Sequence, residues 1–332
     1  MVDLAGKRIG VVGAQSSTIN CINGLMRGGY AISRLITLPP EMSAPVADYA
    51  DLRVFARANG IPCIHVGAYD MKDPVTRERL SDVCLDVVTV VGWQRLIPEW
   101  FLLKIPCGVY GMHGSALPLP KGRGRSPMNW SIIEGRDRFY THLFRYDAGI
   151  DSGEIVDCQR FDINPWDTIR SLQHKNSVSQ YKLLVKNLPA ILNGAITSIP
   201  QDKAIQPSFY PKRTFEDGAI DWKQSSAIEI AALVRAVARP YPGAYTEFEN
   251  TRIMIWQAAP FDSCIEYPEA APGTIVEAFS DKTFVVKCFV DSLLVLECET
   301  TSAWQPACGM RFTSLPNASR QKLAQMKIDE GA

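Results

Sequence analysis

Short apolar runs punctuated by turn residues and helical stretches organise the first half of the chain. KRIGVVGA (7–14) is followed by a Ser/Thr/Asn cluster and a short helical stretch, INGLMRGG (22–29). A continuously apolar run of strand length predicts a strand buried on both faces. YAISRLITLP (30–39) predicts a second strand, and LRVFARAN (52–59) a helix stopped by Gly60 and Pro62 before a third. DVCLDVVTVVGW (82–93) gives a fully apolar fourth strand, RLIPEWFLLKIP (95–106) a short helix, and GVYGMH (108–113) a fifth strand. Strands alternating with helices predict an α/β fold, a doubly wound and mainly parallel Rossmann-like sheet. Ligands bind such sheets beyond the carboxyl ends of the strands, which directs attention to Trp93 and His113.

The pattern then changes. SPMNWSIIEG (126–135) predicts a helix, FYTHLFRYD (139–147) an alternating strand, AGIDSGE (148–154) a turn, and IVDCQRFDI (155–163) another strand. PWDTIRSLQHKNSVSQYKLLVKNLPAIL (165–192) predicts a long helix with Asp167 in its first turn, and QDKAIQPSFYPKR (201–213) a linker. Beyond it come a helix, SAIEIAALVRAVA (226–238), and five short β segments between residues 244 and 300. Such spacing suggests a small OB-like β-barrel. The expected organisation is a catalytic domain over 1–203, an OB-like domain over 204–318 and a polar tail, a frayed helix, over 319–332.

Composition narrows the function classes. Lys plus Arg equals Asp plus Glu, 35 against 35, so no global field draws nucleic acid or an anionic membrane. Nine cysteines, an odd number with no CxxC pair, read as small hydrophobes in a reducing compartment. The four histidines lack metal-ligand spacing, so no metal is expected. The N-terminus does not resemble a signal peptide, and no apolar run reaches the roughly 18 residues of a membrane span. A cytoplasmic protein is expected, with a homodimer the default assembly. GVVGAQSS (10–17) lacks the G-x-G-x-x-G spacing, so Gly13 is read as a turn glycine and no NAD is assigned.

The chemistry concentrates between Gly111 and Gly153. His113 ends a strand, and Asp151 lies in a glycine-bracketed turn. Imidazole titrates near neutral pH and a carboxylate beside it favours the charged form, which makes the two a candidate acid/base pair. The alternative is a satisfied core histidine and a plain turn. KGRGR (121–125) places Lys121, Arg123 and Arg125 in one loop. Guanidinium forks suit phosphate and carboxylate, so the loop is either a clamp for an anionic substrate or a solvated loop with one arginine bracing the 151–153 turn.

The wording of these segments carries a resemblance. His-Gly-Ser-x-Leu-Pro (113–118), Arg-Gly-Arg-x-Pro-x-Asn-Trp (123–130) and Asp-x-Gly-x-Asp-Ser-Gly (147–153) resemble the folate-dependent formyltransferases. The wording is most like the sugar N-formyltransferases, including the formyltransferase domain of the polymyxin-resistance enzyme that acts on UDP-4-amino-4-deoxy-arabinose. Methionyl-tRNA formyltransferase is a wider relative. RTFEDGAIDW (213–222), LVRAVARPYPGAY (233–245) and PGTIVE (272–277) resemble the family's carboxyl-terminal domain.

The resemblance implies transfer of a formyl group from 10-formyltetrahydrofolate, a co-substrate, to the amine of a small molecule such as a nucleotide-linked amino sugar of surface polysaccharide biosynthesis. It implies that His113 donates to the developing oxyanion while Asp151 supports its charge and helps move the proton. Trp93, Gln94, Arg95, Leu96 and Ile97, with Asp147, would hold the folate. The alternative for Trp93 and Ile97 is plain core packing. Ser115, Lys121, Arg123 and Arg125 would hold the acceptor. The family's asparagine two residues before the histidine is replaced by Gly111. Loss of one oxyanion donor costs ~10²–10³ in rate. Three expectations follow: another amide substitutes, Asn129 first and Gln94 second; the Gly111 N–H or a water serves; or the enzyme is slow or inactive. Methionyl-tRNA formyl transfer and non-catalytic folate or sugar binding are the rival functions.

Overall fold

The computed structural model describes residues 6–46, 48–249, 251–300 and 303–331. The first five residues and Ala332, on which the N-terminal and tail expectations partly fell, lie outside the described residues. In chain order the elements are β1 (Ile9–Val12), α1 (Ser16–Arg27), β2 (Ile32–Thr37), α2 (Leu52–Ala58), β3 (Cys63–His65), α3 (Pro74–Ser81), β4 (Val87–Val90), α4 (Glu99–Lys104) and β5 (Val109–Ser115). There follow β6 (Arg123–Gly124), α5 (Pro127–Ile133), β7 (Arg138–Arg145), β8 (Ile155–Asp162) and α6 (Ile169–Leu192). Asp167 lies just before α6, where its carboxylate accepts from Asn164 N and Ser171 Oγ at 2.7 Å each.

Two compact units share the chain. One takes Met1–Arg123, Phe139–Phe161 and Gln173–Pro207; the other takes Gly124–Arg138, Asp162–Leu172 and Ser208–Ala332. The segments of the two units interleave along the chain. The segment around α5 belongs to the second unit because Asn129 Nδ2 donates to the Ala236 carbonyl at 2.7 Å and Trp130 Nε1 to that of Pro211 at 2.9 Å.

A seven-stranded sheet in the order β3-β2-β1-β4-β5-β7-β8 forms the frame of the first unit. The strands from β3 to β5 pair in parallel, and β7 runs antiparallel to β5. Alternation sorts the apolar residues to two faces. Ile9, Val11 and Val87 enter one core with Ile22 and Leu25 of α1, Leu52 of α2 and Leu184 and Leu188 of α6. Val12, Val88 and Val90 enter the other with Leu80 of α3 and Phe101 of α4. Both faces are covered, which is why these strands read as unbroken apolar runs. The helix α3 was not among the expected elements. Its signal is Asp73, whose side chain accepts from Thr76 N at 2.9 Å, followed by Pro74 in the first turn.

The second unit adds β9 (Phe209–Tyr210), α7 (Ala227–Val237), β10 (Ala244–Phe248), β11 (Thr251–Asp262), β12 (Ile275–Ala278), β13 (Phe284–Lys287), β14 (Ser292–Thr300) and α8 (Ala318–Gly331). Five strands pair antiparallel in the order β10-β11-β14-β13-β12. Residues 309–313 bridge to both edge strands: Thr313 N donates to Glu247 O at 2.7 Å and Ile275 N to Met310 O at 2.8 Å. The result is a nearly closed sheet around Trp222, Phe284 and Phe312. Lys322 of α8 reaches the buried Asp217 carboxylate at 2.7 Å, which ties the tail to the sequence motif at 213–222. Among the described residues no helix is long and apolar enough to cross a membrane.

The packing of α1 on α6 generates a prediction whose sign is informative. An exposed helical glycine gains roughly 1 kcal/mol on becoming alanine. At Gly24 the added Cβ would instead meet Cγ and Cβ of Tyr181, the stem of a ring that cannot swing aside. Gly24→Ala is expected to lower stability by about 1–3 kcal/mol in urea unfolding. A raised midpoint would show that the two helices part freely.

Candidate active site

His113 is placed by strand alternation. Val109, Gly111, His113 and Ser115 share one face of β5 and all four are buried. In the antiparallel pairing of β5 with β7, Gly111 lies opposite Phe144 and His113 opposite His142. The His113 ring is held on two sides: Nε2 lies 2.7 Å from the Gly122 carbonyl oxygen and Nδ1 lies 3.3 Å from Asp151 Oδ2. Both partners are acceptors, so an imidazolium makes both bonds and a neutral ring only one. The sequence expectation had this ring donating to a substrate oxygen. In the structure both of its nitrogens already face protein acceptors.

Asp151 sits at φ +49°, in the left-handed region that only a well-held turn sustains. The turn is closed from within and from outside. Asp147 Oδ1 accepts from Gly149 N at 3.0 Å and from Ser152 Oγ at 2.7 Å. A Cβ at Gly153 would fall on the Arg145 carbonyl oxygen, so the chain passes where no side chain fits. Gln201 Nε2 donates to the carbonyls of Asp151 and Gly153 at 2.7 and 2.9 Å, and its Oε1 accepts from Arg123 Nη2 at 2.6 Å. Arg123 is buried; that burial pushes its guanidinium below its ordinary pKa, and the carboxylates of Asp151 and Asp147 oppose the shift. Gln201 was not anticipated. It falls in the stretch read as a linker, and a lone glutamine there carries no sequence signal.

The remaining candidates are distributed as follows. Ser115 is fully buried, and its Oγ accepts from Leu117 N at 3.1 Å, shaping the loop after β5. Lys121 is half-buried on that loop. Arg125 and Asn129 belong to the second unit, where the Asn129 Nδ2 gives one hydrogen to the Ala236 carbonyl. In the segment after β4, Trp93 and Ile97 are buried in the core, with Trp93 edge-on to Tyr69 at 4.8 Å. Arg95 stacks its guanidinium over the Tyr69 ring, and Gln94 N donates to the Tyr69 hydroxyl at 3.0 Å. Leu96 is 51% exposed. The backbone groups of Arg95 and Leu96 make no hydrogen bonds among the described residues. The loop is thus pinned at both ends and presents bare peptide groups and one apolar side chain at the carboxyl end of β4. Among the described residues no cluster of His, Cys, Asp or Glu could hold a metal ion.

Two outcomes are expected from this geometry. His142, opposite His113, is 4% exposed and its Nδ1 has no hydrogen-bond partner among the described residues. Burial first, then the adjacent His113, pushes its pKa down to about 4. The unfolded chain therefore binds a proton that the folded chain refuses between about pH 6.5 and pH 4. The stability present above pH 6.5 should fall by about 3 kcal/mol as pH drops through this window, because each pH unit crossed there costs about 1.36 kcal/mol. His142→Phe should flatten that dependence in denaturant titrations at successive pH values; an unchanged slope would place the proton elsewhere. The second prediction concerns Gly153. Gly153→Ala must move the turn off the Arg145 carbonyl, and activity should fall at least tenfold while the sheet's far-UV circular dichroism persists. Unchanged activity would mean the turn need not be held as found.

Comparison with known proteins agrees with this frame. A formyl transferase model matches residues 52–188, and a model of the formyl transferase C-terminal domain matches residues 212–306. An N-formyltransferase from Helicobacter canadensis, solved with folinic acid and dTDP-3-aminofucose, superposes with a TM-score of 0.65 at 18% identity, over 88% of this chain and 100% of that one. WlaRD, a sugar 3N-formyl transferase solved with dTDP and 5-N-formyl-THF, gives 0.62 at 18% identity over 90% and 99%. Methionyl-tRNA formyltransferase from Clostridium thermocellum gives 0.54 at 17% identity over 76% and 93%. At such identities the structural likeness speaks for the fold, and the two family matches, in order along most of the chain, speak for descent. The chain belongs to the formyl transferase family.

Proposed function

We propose that this enzyme moves a formyl group from 10-formyltetrahydrofolate to the primary amine of a small anionic acceptor, a nucleotide-linked amino sugar. The observation that carries the reading is the His113–Asp151 pair, held towards the carboxyl end of β5 by a turn that Asp147, Gln201 and the close approach at Gly153 restrain. Formyl transfer needs a group that removes a proton from the attacking amine and returns one to the folate nitrogen as the carbon–nitrogen bond breaks. Asp151 and His113 together can hold and pass that proton.

The segment 93–97 fits a pterin. An aminopyrimidine edge offers alternating donors and acceptors, which the bare peptide groups of Arg95 and Leu96 can read, while Leu96 covers an apolar face. Support for a nucleotide sugar comes from the N-formyltransferase solved with dTDP-3-aminofucose and the sugar 3N-formyl transferase solved with dTDP. The neutral overall charge, 35 basic against 35 acidic residues, weighs against a tRNA acceptor. Arg123 is occupied in bracing the turn, so within the first unit Lys121 is the member of the 121–125 loop that suits a diphosphate.

The test is a panel of acceptors (dTDP-3-aminofucose, UDP-4-amino-4-deoxy-arabinose and initiator methionyl-tRNA) incubated with 10-formyltetrahydrofolate while tetrahydrofolate release is followed. Turnover with an amino sugar and not with the tRNA is expected. His113→Asn and Asp151→Asn should each lower kcat at least a hundredfold while folate binding by fluorescence titration stays within threefold. More than a tenth of wild-type turnover in either variant would remove that residue from the chemistry.

A further inference from the structure

Both His113 nitrogens face protein acceptors, so a charge developing on the formyl oxygen needs a donor from elsewhere. Neither of the two amides expected to substitute lies on the β5–β7 strand pair. Asn129 Nδ2 is bonded to Ala236 O, and Gln94 sits in the loop braced against Tyr69. The face of the sheet that carries His113 holds another candidate.

His142 and Phe144 lie opposite His113 and Gly111 in the antiparallel ladder and share their face. Tyr146, two residues beyond Phe144, continues the same face, and its backbone N donates to Val109 O at 2.8 Å. Its ring stacks on Phe144, centroids 5.1 Å apart at 24°, and leans across the neighbouring strand. A Cβ built on Gly111 would fall on Cε1, Cζ and the hydroxyl oxygen of Tyr146, so the phenol occupies the volume a side chain at 111 would fill. Residues two apart on a strand are spaced by roughly 6.6 Å. The hydroxyl is therefore set one side-chain position from His113, on the same face. It makes no hydrogen bond among the described residues, and the residue is only partly buried. Burial first, then the Asp151 carboxylate, raises the phenol's pKa, so at neutral pH it keeps its proton. A protonated, unengaged O–H beside the acid/base pair is what an oxyanion site requires, and tyrosine is among the side chains that fill that role.

We propose that Tyr146 is a catalytic residue: its O–H, seated over Gly111, donates a hydrogen bond to the formyl oxygen as the amine attacks and charge builds there. The assignment rests on the formyl-transfer reading above. No bond to Tyr146 is made or broken, and its proton stays in place.

Tyr146→Phe tests it, because the ring, the stacking on Phe144 and the filled space over Gly111 all remain. With 10-formyltetrahydrofolate and whichever nucleotide amino sugar of the panel the wild type turns over, kcat should fall about 10²–10³-fold. KM for both substrates should stay within about threefold, the signature of an interaction made mainly in the transition state. The melting temperature should not move. The double variant Gly111→Asn/Tyr146→Ala places an amide in the vacated space and should recover at least tenfold over Tyr146→Ala alone. Wild-type kcat in Tyr146→Phe, or a loss confined to KM, overturns the assignment and leaves formyl transfer intact. A wild type that releases no tetrahydrofolate with any acceptor of the panel overturns the formyl-transfer reading and this assignment with it.

Discussion

The contact between Asp151 and His113 depends on how firmly the 147–153 turn is held, because the two ends of that contact differ in rigidity. His113 is part of a strand hydrogen-bonded on both sides, but Asp151 sits in a loop at φ +49°, a conformation that a non-glycine residue adopts at a cost. Four groups supply the restraint: the Asp147 carboxylate from within, the absent side chain of Gly153 against Arg145 O, the Gln201 amide on two turn carbonyls, and Arg123 behind Gln201. Each neutral hydrogen bond is worth only about 1 kcal/mol. Their value is geometric, since they leave the carboxylate one place to be. The buried arginine thus acts on the site through an amide and a backbone.

The same strand pair sets up a choice between two imidazoles. His113 and His142 are cross-strand neighbours in a mostly dry interior, where two adjacent positive charges would repel. His142 is the ring that resists one: it is buried, and its Nδ1 has no hydrogen-bond partner among the described residues. The neutral partner contributes its packing without a protonation penalty only above about pH 6.5, which links the site's electrostatics to the stability of the whole sheet.

Much of this was legible in the sequence, for identifiable reasons. Strands buried on both faces leave continuous apolar runs, so β1, β4 and β5 could be read directly. The glycines around Asp151 marked a tight turn, and the structure gives each a steric reason. The α3 helix escaped because its run is polar, with only Leu80 and Thr76 buried. Long-range partners escaped for a different reason. Asn129 lies near the KGRGR loop in sequence, yet its amide bonds to a carbonyl more than a hundred residues away. Gln201 reaches back about fifty residues to the turn from a stretch with no pattern of its own. Periodicity reports which face a residue is on, not which distant group meets it there.

Gly111 shows where that limit bites hardest. Compared with a family pattern one position at a time, it reads as a donor deleted. Across the strand pair it reads as room made: the ring of Tyr146 fits only because position 111 has no Cβ, and asparagine at 111 fits only if residue 146 is small. A glycine inside a strand commonly marks such a close approach. The two positions are therefore sterically coupled: adding a side chain at 111 or removing the ring at 146 leaves a collision or a void unless the other changes too. A sheet face offers a fixed set of locations but does not dictate which strand fills each one. The chemistry needs a donor at the location beside His113, and in this chain the neighbouring strand can deliver it.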